Sequence, residues 1–290
     1  MKKFIVILAI ALALSSCGVA SYNTGGAEPR AGALPESPRP EAAAIPPLQE
    51  APEQPLAYTL TLTIPEGFTL LQIGMALEEL GVHTAEQFVH AAQTGDFGEF
   101  PLFAAQAPNP NRFLALEGYL FPGIYEIYLD EPPEDVIRRM LSVTEQMIDE
   151  DLRDAITRSG YTVDEIIIIA SIIQKESLGN DEAKPLVSSV IHNRLNTGMM
   201  LQMCYTSFYV RDFIAPFFEG EDHPFGEFYN TYICPALPAG AISNPGLNAI
   251  RAALFPADTR YFFYIWDNDG GFHFAAEWEE HVANVQRYLR

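Results

Sequence analysis

A chain of 290 residues, 48% hydrophobic and 12% aromatic, suits one medium domain with a smaller one beside it and has enough apolar material to bury a core. Its 38 acidic against 17 basic residues leave a formal charge of −21, which excludes a nucleic-acid binder, because phosphate recognition needs a basic surface. Anionic lipid headgroups repel the same charge, so membrane attachment requires an anchor, and a polymer substrate has to be held by stacking and hydrogen bonds.

The first residues supply a candidate anchor. Lys2 and Lys3 precede an unbroken apolar run from Phe4 to Leu14. That run is too short to cross a hydrocarbon core of ~30 Å, and has the layout of a secretory signal. Leu14-Ser15-Ser16-Cys17 resembles a bacterial lipobox, which implies a lipoprotein signal peptide over residues 1–17 and a diacylglyceryl group on Cys17. The plainer alternative is an ordinary signal cut nearby that leaves Cys17 a free thiol; both export the chain. Residues 18–56 are rich in Pro, Ala, Glu and Gly and read as a disordered tether. Cys204 and Cys234 are the other two cysteines; outside the cytoplasm they can pair, although nothing in their positions requires it. No CxxC or HExxH occurs and the six His are scattered, so no metal site is expected.

Residues 57–110 read as a small subdomain. Thr and apolar side chains alternate from Tyr58 to Ile64, a strand period. Pro65-Glu66-Gly67 turns the chain. Ile73, Leu77 and Leu80 mark a helix over Leu70–Leu80 stopped by Gly81, and Thr84 caps a second helix over Ala85–Gln93. This strand-helix-helix unit is either a binding module or a structural appendage. Residues 111–290 form the larger domain. It opens on Leu116-Glu117-Gly118-Tyr119-Leu120-Phe121-Pro122 and continues into a helix from Pro133 to about Ser159.

The sharpest chemical signal follows. Thr162 with Glu165 three residues on is a capping box, which makes the isoleucine run 166–173 helical rather than a buried strand. Ile169, Ile172 and Ile173 then share a face with Glu176. Glu176 emerges at the end of an apolar stripe near a helix C-terminus, where burial and the helix dipole both raise a carboxyl pKa, as a general acid at neutral pH requires. A helix-end glutamate that turns into solvent fits the same spacing.

Pro185 starts the next helix, Val187, Val190, Ile191 and Leu195 form its buried stripe, and Gly198 ends it, with Asn193 and Arg194 beside the stripe. Gln202, Tyr205, Tyr209 and Tyr229-Asn230-Thr231-Tyr232 make polar aromatic loops that suit a sugar groove or plain packing. A Pro/Gly-rich run over Leu237–Gly246 includes Asn244. The strand-like Tyr261–Ile265 leads to the hairpin turn Asp267-Asn268-Asp269-Gly270-Gly271, with His273 on the return strand.

Taken in order, these segments resemble the endolytic murein transglycosylase family, MltG or YceG-like. The carriers are Leu116–Pro122, Ala170-Ser171-Ile172-Ile173-Gln174-Lys175-Glu176-Ser177, Val190–Leu195 with Gly198-Met199-Met200-Leu201-Gln202, Tyr229–Tyr232, Leu237-Pro238, Ile242–Gly246, and His273-Phe274 before Glu280-His281. The resemblance implies an α+β chain, a LysM-like strand-helix-helix subdomain followed by a mixed α/β catalytic domain. It implies a lytic transglycosylase that cuts between N-acetylmuramic acid and N-acetylglucosamine in nascent peptidoglycan glycan, leaving 1,6-anhydro ends. Glu176 takes the place of the family's acid/base. Gln202, Tyr229, Asn230, Asn244 and His273 are expected to line the groove, with Glu117, Asn193 and Arg194 supporting it; no cofactor or metal is implied. Peptidoglycan synthases are the implied partners, and the location is extracytoplasmic, held to the membrane by the N-terminal lipid. The chain departs from the family at Gln174 (usually acidic), at Met203-Cys204-Tyr205 (usually Thr-Asp-Pro), at Gly123-Ile124 (usually Asp-Thr), at Val282 (usually Asn), and in having a lipobox where the family has a transmembrane helix. A Cys204–Cys234 bridge would be a covalent clip in the altered loop. The competing reading is a degenerate, non-catalytic glycan-binding lipoprotein that positions cell-wall synthesis enzymes. A secreted metal-dependent hydrolase is a third, disfavoured by the lack of a ligand cluster.

Overall fold

The structure is a computed structural model that describes residues 59–218 and 225–289. The signal segment, Cys17 and the tether lie outside the described residues. The fold is mixed α/β and dominated by helices, with two separate two-stranded antiparallel sheets among the described residues.

Strand β1 (Thr59–Ile64) turns Leu62 and Ile64 into the core and Thr59, Thr61 and Thr63 to solvent, the alternation its sequence dictates. Its partner is β2 (Gly123–Tyr128), with Thr59 opposite Tyr128 and Ile64 opposite Gly123. No strand is expected there from the sequence pattern. Tyr125 and Ile127 alternate inward, but six residues between loops carry little signal, and the pairing reaches across three intervening helices that no local pattern announces. Helices α1 (Leu70–Glu79) and α2 (Ala85–Thr94) each start on a full capping box, Thr69 with Gln72 and Thr84 with Gln87. A single turn, α3 (Pro101–Ala104), follows.

The single helix expected over Pro133–Ser159 is two, α4 (Pro133–Met147) and α5 (Glu150–Ser159). Ile148 leaves the helical region with ψ 75°, and the Asp149 side chain accepts from the Leu152 amide at 3.0 Å. An aspartate that caps a new first turn competes with continuation of the old helix. Helix α6 (Val163–Glu176) starts on the Thr162–Glu165 box and is buried on every side from Ile166 to Gln174, not along one stripe. It lies against α5, α10 (Leu247–Leu254), α7 (Lys184–Thr197) and the short α8 (Cys204–Tyr209). Gly198 ends α7 with φ +69°. A wide turn (Val210–Ile214), a 3-10 turn (Ala215–Phe218) and α9 (Gly226–Tyr229) follow α8. The chain closes with the hairpin β3 (Phe263–Trp266) and β4 (Phe272–Ala275) and with α11 (Trp278–Tyr288).

One hydrophobic cluster runs from Leu62 of β1 through α6 to Ala253 of α10. The segment 57–110 therefore shares its core with the rest, and its strand takes its partner from beyond residue 110. Among the described residues no helix is long and apolar enough to cross a membrane.

Candidate active site

Glu176 is the last residue of α6 and is 1% exposed. A backbone amide and a phenol both reach its carboxyl group. The Tyr205 amide, in the first turn of α8 where it has no partner within its own helix, donates to Oε1 at 3.2 Å. The Tyr264 hydroxyl, carried by β3, donates to Oε2 at 2.7 Å. Burial raises the Glu176 pKa above the ordinary 4.5; the Tyr264 and Tyr205 bonds and the Arg194 charge pull the other way without reversing it. Burial thus favours the protonated carboxyl group, while the two bonds favour its anion.

The loop 237–246 is laid along α6 toward Glu176. Ser171 Oγ accepts from the Ile242 amide at 3.1 Å, Ser243 Oγ donates to the Ser171 carbonyl at 3.2 Å, and Gln174 Oε1 accepts from the Gly246 amide at 3.1 Å. Gln174 therefore acts as an amide clamp. The sequence missed this, because the partner is an amide 72 residues away. Glu117 forms a second buried knot. It accepts from the Leu70 amide at the start of α1 at 3.0 Å, from Tyr209 Oη at 3.0 Å and from Asn244 Nδ2 at 3.2 Å. Burial pushes its pKa up to about 8. Lys175 is half-buried, donates to the Gly67 carbonyl at 3.3 Å and sits 5.6 Å from the Tyr205 ring centre, joining the front turn to the site.

Of the residues expected in the groove, three lie elsewhere. Tyr229 is fully buried, and its hydroxyl accepts from the Phe113 amide at 3.1 Å: it is core. Asn244 is also fully buried, with Oδ1 taking the Gly118 and Leu120 amides and Nδ2 donating to Phe68 and Glu117, so its amide is spent as a brace. His273 is paired across the hairpin with Ile265, on the face opposite Tyr264. There it bonds Asp267 at 2.7 Å and stacks on Tyr288 of α11 with ring centres 3.5 Å apart. Tyrosine, asparagine and histidine have the right chemistry for a sugar, and only tertiary packing turns these three inward or away.

Gln202 is exposed, with a left-handed backbone (φ +49°) pinned where its amide donates to the Thr231 carbonyl at 3.0 Å. Asn230 is half-buried and its Oδ1 accepts from Ser207 Oγ at 2.9 Å and the Tyr232 amide at 3.0 Å. Asn193 Nδ2 donates to the Thr259 and Tyr261 carbonyls, and Arg194 Nε donates to the Phe262 carbonyl at 2.7 Å. These two residues tie α7 to the chain entering β3 and so set the position of Tyr264. Cys204 and Cys234 are not bonded to each other, which removes the covalent clip; Cys204 Sγ lies 3.2 Å from Tyr232 Oη beside the site. Tyr264 is the contact the sequence did not single out, and its local signal is no more than a polar tip on the apolar run 261–265.

Residues 38–287 match the family model of the YceG-like family. The chain is similar to the endolytic murein transglycosylase of Streptococcus pneumoniae strain D39, 28% identical over 258 residues that cover 83% of this chain and 46% of that one. It is similar in the same way to the endolytic murein transglycosylase of Bacillus subtilis strain 168, 28% identical over 239 residues, 80% of this chain and 66% of that one. The chain spans between about half and two thirds of the length of these relatives. A crystal structure of a YceG-like protein from Listeria monocytogenes superposes with a TM-score of 0.67 at 28% identity, over 77% of this chain and 75% of that one. With a family match that extends from the expected tether to the last helix, the chain belongs to the YceG-like family.

Proposed function

We propose that the chain is a lytic transglycosylase that cleaves peptidoglycan glycan, with Glu176 as both acid and base. The observation that carries this is the Glu176 carboxyl group itself, buried at the end of α6 with a phenol and an amide directed at its two oxygens. The names of the relatives in Streptococcus and Bacillus supply the substrate class.

Protonated Glu176 gives its proton to the glycosidic oxygen as the bond from that oxygen to the muramyl C1 breaks. The substrate's acetamido group shields the cation that develops at C1, as in glycosidases that use one enzymic carboxyl group. The Glu176 carboxylate then takes the proton of the C6 hydroxyl while its oxygen closes on C1. No water is consumed, the enzyme's proton is restored, and the product carries a 1,6-anhydro end. Gln202 and Asn230, at the accessible side of the 202–204 and 229–232 segments, are the sugar-binding candidates that remain. The front segment β1-α1-α2 is read as LysM-like, and Cys17 as the lipid-bearing residue that holds the chain outside the cytoplasm within reach of peptidoglycan synthases.

The test uses the chain from residue 57 with un-crosslinked nascent glycan, and mass spectrometry of the products. Anhydromuramyl ends from the parent, and none from Glu176→Gln, are the expected outcome. Reducing ends would replace the lyase by a hydrolase, and a folded parent that binds glycan without cutting it would make the chain a non-catalytic binder. For the anchor, the expected result is a lipid mass on the peptide beginning at Cys17, absent in Cys17→Ser.

A further inference from the structure

Tyr264 Oη lies 2.7 Å from Glu176 Oε2 and 3.2 Å from Met203 Sδ. A thioether is a weak acceptor, so the phenol hydrogen belongs to the carboxyl group. The ring is held by Phe272, Phe274 and Trp266, whose centres lie 6.2, 5.8 and 6.3 Å away on the same hairpin face. The strand behind it is fixed by Arg194 on the Phe262 carbonyl. The hydroxyl is therefore directed before any reaction begins.

The two oxygens of Glu176 are not equivalent. Oε2 takes the short 2.7 Å bond from the phenol, while Oε1 takes a longer 3.2 Å bond from the Tyr205 amide, with the Cys204 backbone close by. We propose that Tyr264 is a positioning residue for Glu176: it marks Oε2 as the accepting oxygen, leaves Oε1 to carry the proton to the substrate, and binds more strongly as the carboxylate forms. This rests on the reading of Glu176 as acid and base. The bond from Tyr264 is neutral while Glu176 is protonated and becomes charge-assisted when the proton leaves, and such bonds are about twice as strong. An interaction that strengthens toward the transition state accelerates the step. Burial keeps the Tyr264 phenol protonated, so it remains a donor throughout.

The groups that face Glu176 are Tyr264 from β3, Arg194 from α7, Tyr205 and Cys204 from α8, and Tyr232 from the loop after α9. Tyr264→Phe leaves the other four and keeps the ring packed against Trp266, Phe272 and Phe274. Carboxyl-carbon NMR of the glutamate-labelled protein, with the Glu176 signal assigned by its loss in Glu176→Gln, reads the midpoint without any activity. The expected result is a higher Glu176 midpoint in Tyr264→Phe. In cleavage assays kcat falls about tenfold, as the loss of one charge-assisted bond predicts, with KM little changed and the alkaline limb moved to higher pH. Replacing Tyr264 by 3-fluorotyrosine, a stronger donor of nearly the same shape, should move the midpoint down. A midpoint that stays or falls in Tyr264→Phe overturns the proposal, as does an equal rise in Met203→Leu, which would assign the effect to packing in that corner. If the parent does not cut glycan, the reading of function fails while the NMR titration still decides the role of Tyr264.

Discussion

Glu117 and Glu176 are both out of water, and burial raises both above the ordinary 4.5, Glu117 to about 8. Each therefore keeps a proton in the folded chain at a pH where the unfolded chain has lost it. A raised folded pKa gives stability that is complete below the unfolded value and is lost as pH rises through the folded one. His192 and His281, lowered by burial, act in the opposite sense only below 6.5. Between pH 6.5 and 8 Glu117 titrates in the folded chain, so its contribution to the urea midpoint should fall across that interval. Glu117→Gln should flatten the slope and also weaken the protein at pH 6.5, because the new amide meets Tyr209 or Asn244 donor to donor. An unchanged slope in Glu117→Gln would take the titration away from Glu117. Glu176 was legible because its position depends on one helix and one cap. Tyr264 was not, because its role depends on a partner 88 residues away.

Helix α6 shows why element-level reasoning worked where it did. The capping box, the isoleucine run and Glu176 all fall within one continuous segment, so the start of the helix fixes which face each residue shares. Thr162→Ala removes the bond to the Glu165 amide and should cost about 1 kcal/mol. For a chain of this size that corresponds to roughly 2–4 °C in Tm. The Glu176 midpoint should not move, because the cap lies at the far end of the helix. A shifted midpoint would mean that fraying at Thr162 reaches the acid. The break between α4 and α5 was illegible for the complementary reason: apolar spacing continues across it, and a single aspartate side chain decides between one helix and two. Strand β2 exists because β1 waits for it, and neither strand contains that information alone.

At the scale of the whole molecule, β1, α1 and α2 share one core with residues beyond 110, and β1 takes its strand partner from among them. Glu117 bonds the first amide of α1, the loop residue Asn244 and Tyr209 of α8 in one buried knot. Next to it Gly118 has φ +93°, and a Cβ there would lie 2.6 Å from both Ala241 Cβ and Ile167 Cγ2. Gly118→Ala should therefore cost about 2–4 kcal/mol through strain and overpacking and lift the loop 237–246 from α6. Removing residues 57–110 does more damage. It strips β2 of its partner, uncovers the faces that β1, α1 and α2 bury, and takes the Leu70 amide from Glu117 and the Phe68 and Gly67 backbone from Asn244. Each loss leaves a buried polar group without its partner, which costs more than the bond itself contributed. The fragment 111–290 should accordingly be insoluble or lack a cooperative thermal transition, whereas 57–290 melts as one unit. Circular dichroism and calorimetry of the two separate the cases. A fragment that melts sharply on its own would mean that the front segment is an appendage and that the Glu117 knot is dispensable for folding. If it fails, the position of Glu176 depends on the front segment, because both are built on one core.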